Sequence, residues 1–197
     1  MIPPLFRRAP KPTIAALYGA IVAQARAPLF YQDYAVPDTV LGRFDMVLLH
    51  VVLVLRRLRE GAARDRALAQ DLFDAFCRDM DHNLREMGIS DQGVPTQMRR
   101  VGEAFYGRAH AYEIALGEST DEALTPALAR NVYAGNVGAG NVWTGMSADR
   151  AAPDSTVAAL GAYVRQAARV LGEQAPEALA KGEVRFPAPM PLRAAAE

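Results

Sequence analysis

The side chains with the widest chemical repertoire in this chain are three histidines, His50, His82 and His110, a single cysteine, Cys77, and the carboxylates nearest to them. A helical protein could gather the histidines with Asp79, Asp81 or Glu103. None, however, stands in a His-Glu-x-x-His or Glu-x-x-His arrangement, the spacings that put two metal ligands on one helix face. His50 lies inside Leu48-Leu49-His50-Val51-Val52 and reads as a core or boundary histidine with its hydrogen bonds satisfied. Cys77 borders an apolar stripe, where a thiol behaves as a small hydrophobe. Arg78 and His82 would activate it only by turning toward it, and Asp74 is placed to hold Arg78. Asp79 and Asp81 are two apart and do not share a helix face, so they do not form an acid/base pair. The glycine-rich segment at 134–141, AGNVGAGN, follows a helix rather than a strand and has no Gly-Lys-Ser/Thr, so it reads as a connection and not as a phosphate loop. No enzyme and no cofactor is expected.

Composition narrows the alternatives. The 197 residues are enough for one substantial core. Twenty-two Lys plus Arg balance 22 Asp plus Glu, which gives no support for a general nucleic-acid binder. One cysteine rules out an intrachain disulfide. No run of 18 apolar residues occurs. Arg7, Arg8 and Lys11 precede an apolar stretch ending in Ala23-Gln24-Ala25, a pattern shared with secretory signals, but Tyr18 and Gln24 interrupt it. Ile14, Leu17, Ile21 and Ala25 suit an ordinary amphipathic first helix better.

The elements that would position these groups are helices. The spacing predicts a first helix over 13–26, capped by Thr13 and ended by Pro28. The next segment, PLFYQDYAVPDT, carries Phe30, Tyr31 and Tyr34 without a clean period; it either covers the side of the core or lines a pocket. A helix capped by Asp38 or Thr39 runs to about Glu60 and is apolar almost all round in its middle, as the central helix of a bundle is. The run RRLREGAARDR ends it. Arg56, Arg57 and Arg59 there suit a solvated helix end, with an anionic lipid or phosphate contact as the rival reading. From about Asp65, Phe73, Phe76, Met80, Leu84 and Met87 form a stripe that stops at Gly88, a C-cap glycine. After a turn a second stripe follows through Met98, Val101, Phe105, Tyr112 and Leu116. These two helices should fold back as a hairpin. Its polar side comprises Asp81, Arg85, Arg99, Arg100, Glu103, Arg108, His110 and Glu113, which suits either a docking surface or a solvated face. A helix begins after Thr120 and ends near Tyr133. Another, capped by Asp154 or Ser155, runs to Leu171, and a short helical turn follows Pro176. The fold class is all-α: a compact single-domain bundle of about six helices, with an irregular arm at 1–12, a helical domain at 13–180 and a Pro-rich tail at 181–197.

The hairpin carries more than periodicity. FDAFCRDMDHNLREMGISDQGVPTQMRRVGEAFYGR resembles the signature of the ubiquinol-cytochrome c chaperone family, through Phe76, Asp79-Met80-Asp81, Leu84 to Gly88, Asp91, Val94-Pro95, Met98 and Phe105 to Arg108. YGAIVAQAR, FDMVLLHVVLVLRRL and LARNVYAG extend the likeness over most of residues 14–135, in the form of a bacterial member. The resemblance implies a non-enzymatic assembly factor that receives newly made cytochrome b for the bc1 complex. Mitochondrial relatives also meet the ribosome and a small helical partner. It further implies a cytoplasmic protein working at the inner face of the membrane, with peripheral membrane or general protein binding as the alternative. Candidate client or partner contacts are Phe30, Tyr31, Tyr34, Asp81, Arg85, Asp91, Arg99 and Arg108. Asp91 would brace the turn, and Arg108 would pair with Asp81 or Glu103. Candidate borders of a client groove are the Phe30 to Tyr34 segment, Met80, Met87, Met98 and the loop at 135–140.

Overall fold

The computed structural model describes residues 11–133 and 152–192. Its organising element is α3, Val40–Arg59, which is buried on every side through its middle. Four partners enclose it: α1 (Pro12–Ala25), α4 (Ala63–Glu86), α5 (Val94–Gly117) and α7 (Asp154–Glu173). Short helices complete the described residues: α2 (Pro28–Gln32), α6 (Leu124–Leu128), which continues into a π-helical turn at Ala129–Tyr133, and α8 (Pro176–Ala180). The all-α class expected from the sequence is the one observed. The additional element is α2, a single turn started by Pro28 that carries Phe30 into the core.

Local chemistry accounts for most helix ends. The Thr39 hydroxyl accepts the Gly42 N–H at 3.1 Å and caps α3. The Asp65 carboxylate, in the first turn of α4, accepts the Ala62 N–H at 2.9 Å. At the other end of α4, Gly88 adopts φ +82°; the Gly88 and Ile89 N–H groups reach back to Arg85 and Leu84 carbonyls. That left-handed residue turns the chain into α5, and Phe73 and Phe76 meet Phe105 at 4.9 and 5.4 Å across the resulting hairpin.

Three starts differ from expectation, each because of a proline. α1 begins at Pro12 with Lys11 outside it, so Thr13 is already helical and caps nothing. Asp154 lies inside α7, which Pro153 precedes without a side-chain cap. α6 starts at Leu124 rather than after Thr120, because Pro126 lacks an N–H and is tolerated only in a first turn. Asp74 accepts from Gln70 at 2.8 Å instead of holding Arg78.

The chain beyond α8 is an ordered strap as far as residue 192. Gly182, at φ +90°, turns it back over α1. The Gln174 side chain then brackets Arg185, accepting its N–H and donating to its carbonyl, both at 2.8 Å. The Tyr34 hydroxyl does the same for Met190, at 3.1 and 3.0 Å. Gln24 donates to the Pro187 carbonyl at 3.0 Å. Side chains thus satisfy backbone groups that proline prevents from joining a helix.

Candidate functional site

Helices α1, α3 and α4 leave an open groove of about 290 Å³ between them. Its floor is Phe44, Val47 and Met80, all nearly enclosed, and its mouth is Val40 and Met87, each 40% exposed. Arg26, Arg43, Asp79 and Glu86 stand around it. The groove exists because the apolar stripe of α4 continues one step past the turn at which the helix is covered. Leu84 packs inward, and Met87, expected in the same stripe, emerges at the surface. The rim is held in place: Tyr18 donates to Asp79 at 2.7 Å, and Arg43 binds Asp38 at 2.6 Å. The Arg43 guanidinium also lies 6.0 Å from the Tyr31 ring centre. Burial, then the Asp79 charge, holds the Tyr18 phenol protonated well above its ordinary range.

The candidate contact residues are scattered. Phe30 and Tyr34 are core residues, with Phe30 set edge-on to Tyr163 at 4.8 Å; they present no surface in this conformation. Tyr31 is half-buried, donates to the Ala25 carbonyl at 2.8 Å and adjoins the groove through Arg43. Asp81, Arg85 and Asp91 come together as one exposed network: Arg85 binds Asp81 at 2.8 Å and also Asp91, so Asp91 braces the interhelical turn. Arg99 is exposed and lies 4.0 Å from Glu103. Of the expected groove borders, Met80 and Met87 line the groove, Met98 does not, and the loop at 135–140 lies outside the described residues.

Arg108 corrects the expected polar side. It pairs neither with Asp81 nor with Glu103 but with Asp45 of α3, at 2.8 Å, and both side chains are almost wholly buried. Counting from Val101 and Phe105, Arg108 and Tyr112 continue the inward stripe of α5, so Arg108 is turned toward α3. Asp45, embedded in FDMVLLHVV, was the signal for its counter-charge. Val40, Arg43 and Val22, which line the groove, carried no comparable signal, because they meet Met80 and Met87 only in space.

His50 and Cys77 are both held in unreactive forms. The His50 Nδ1–H faces the Met46 carbonyl at 2.7 Å, and the Tyr163 hydroxyl lies 2.8 Å from Nε2. A carbonyl can only accept, so Nδ1 carries the proton and Nε2 accepts from Tyr163. Burial pulls the His50 pKa down to about 4. Burial also pushes the Cys77 thiol up to about 11, Asp74 adding to the shift and Arg78 opposing it.

A helical bundle with a braced, open apolar groove and an unreactive interior has the features of a binding protein. The chain belongs to the ubiquinol-cytochrome C chaperone family, whose model matches residues 32–186. It is similar to a solved structure described as the Cbp3 homolog from Brucella abortus, with 39% identity, a TM-score of 0.73 and 88% of each chain covered. It is also 28% identical over 121 residues to the ubiquinol-cytochrome-c reductase complex assembly factor 1 of Xenopus laevis. That match spans 60% of this chain and 60% of the frog protein.

Proposed function

We propose that the protein is a non-enzymatic chaperone for assembly of the ubiquinol-cytochrome c reductase (bc1) complex, and that it holds newly made cytochrome b by an apolar segment laid in the α1/α3/α4 groove. Family membership supports the assembly role. The observation that carries the binding mode is the groove itself, with Phe44, Val47 and Met80 beneath and Val40 and Met87 exposed at its mouth. A membrane-protein client offers helices whose side chains at three- and four-residue steps anchor in such a groove. Methionine adapts its shape to varied partners. The charges of Arg26, Arg43, Asp79 and Glu86 keep the rim wetted, so the groove can stand open without a client. On this reading the protein works at the cytoplasmic face of the membrane, where an unassembled cytochrome b is met.

Peripheral membrane binding through Arg56, Arg57 and Arg59 has less support, because all three are engaged. Arg57 donates to the Leu171 and Gln174 carbonyls at 3.1 and 2.9 Å and caps α7, while Arg56 lies near Glu60 and Arg59 near Glu113. A photo-crosslinker placed at Val40 or Met87 in cells should capture cytochrome b. A strain lacking the protein should lose bc1 complex while its transcripts stay normal. Normal bc1 assembly in that strain would refute the reading. Ribosomal proteins or a small helical protein in the same capture would add them to the partners.

A further inference from the structure

Beside α5, a second cleft of about 320 Å³ opens against the π-helical turn. Its walls include Gly107, Arg108, Arg130 and Asn131, with Glu103 at the edge. Small residues make the room: a Cβ added at Gly107 would meet nothing within 4 Å. Arg108 is 3% exposed and Asn131 8%, so two enclosed polar side chains form part of this wall.

The polar groups behind it are under-satisfied. Asp45 touches the Arg108 guanidinium at 2.8 Å, yet neither Asp45 oxygen receives a well-directed hydrogen bond, and the Arg108 Nε–H has none; the Tyr112 hydroxyl has only the Asn131 amide beside it. Buried donors are normally paired, and one that is not, in the wall of a cleft, marks a place for a ligand. Charge gives its sign. Glu103 is set against Arg99, and Asp45 against Arg108. Arg130 is exposed and, among the described residues, has no ion-pair partner. Among the described residues, the wall therefore carries one uncompensated cation beside a second guanidinium and an amide. Burial also drives the Asp45 carboxyl toward its neutral form, which leaves Arg108 less fully balanced. The π-helical turn, a local widening often found at binding sites, brings Arg130 and Asn131 to the cleft together.

We propose that this cleft is a phosphate-binding site, in which Arg130 and Arg108 hold the anion and Asn131 donates to it. Guanidinium groups match phosphate oxygens in both geometry and charge. The phosphate comes either from a small soluble molecule or from an anionic lipid headgroup.

Calorimetric titration and thermal melts of the full chain test this with inorganic phosphate and glycerol 3-phosphate, against chloride at matched ionic strength. Saturable binding and a raised melting temperature are expected with the phosphates and not with chloride. Arg130→Ala, at an exposed position, should weaken phosphate binding about tenfold or more while leaving the melt in chloride unchanged. Gly107→Leu should do the same by filling the cleft without removing a charge. Flotation with phosphatidylglycerol vesicles, competed by glycerol 3-phosphate, would identify the lipid as the source; soluble binding alone would identify a free phosphate compound. If the wild-type chain responds to phosphate no more than to chloride, or if Arg130→Ala binds it as tightly as wild type, the site is not there.

Discussion

Asp45 and His50 lie one and a half turns apart on α3, both enclosed, and burial drives their titrations in opposite senses. Burial, partly offset by Arg108, pushes the Asp45 pKa from 3.8 up to about 8. The folded chain therefore keeps a proton that the unfolded chain has released. The stability from Asp45 is complete below its unfolded value and is lost as pH rises through about 8. His50 is the reverse case. Its folded pKa falls from 6.5 to about 4, so its contribution is present above the unfolded value and is lost as pH falls toward 4. Denaturant midpoints of the wild-type protein should thus decline between about pH 6.5, above which His50 no longer opposes the loss, and about pH 8. They should decline much less in Asp45→Asn, which carries no titrating group at that position. An unchanged slope in the variant would mean that Asp45 is ionised throughout and fully held by Arg108.

Among the elements, the strap shows how a segment without regular secondary structure is kept in place. The Gln174 amide makes three hydrogen bonds, two to Arg185 and one to the Val170 carbonyl at 3.1 Å. Its side chain joins the end of α7 to the strap, while Phe186 lies edge-on to His50 at 5.3 Å. Gln174→Ala leaves the Arg185 N–H and carbonyl without partners and should cost about 1–3 kcal/mol. The loss should be local, because the long helices pack without the strap. Limited trypsin digestion should then cut faster after Lys181 and Arg185 in the variant, with the helical circular dichroism signal retained. A cleavage rate equal to wild type would show that the Tyr34 and Gln24 contacts hold the strap alone. The connection from α5 to α6 is tied differently, by Arg165 of α7 reaching Asp121 and the Glu118 and Thr120 carbonyls. Nothing in the local sequence announced that role.

At the scale of the molecule, one helix buried all round leaves its neighbours free to be amphipathic, and where two of them, α1 and α4, fail to close over its start, the groove results. Two substitutions at its mouth respect the helix ends. Val40→Glu puts an acid at the start of α3, and Met87→Lys puts a base at the end of α4, both favourable to the helix dipole. Their effect on stability should stay within about 0.5 kcal/mol, since both sites are substantially exposed. Together they should reduce crosslinking to cytochrome b about tenfold, while Ile114→Glu, on the exposed face of α5, should not. Equal losses for all three would point to a diffuse apolar surface rather than this groove.

Periodicity in the sequence was sufficient for the long helices, the hairpin and its Gly88 turn, because a stripe at three- and four-residue steps and a left-handed cap are local properties, but not for the single turn of α2. The family likeness was legible not in periodicity but in the residues of the motifs around that hairpin. Arg108 was misjudged because charge suggested an outer face where register dictated an inner one. Only the tertiary structure could pair Arg108 with Asp45, set Met80 and Met87 opposite Val40, and lay the proline-rich tail along α1. Each of these joins residues far apart in the chain, and which pairs meet depends on how whole helices pack, a quantity that no single stretch of sequence contains.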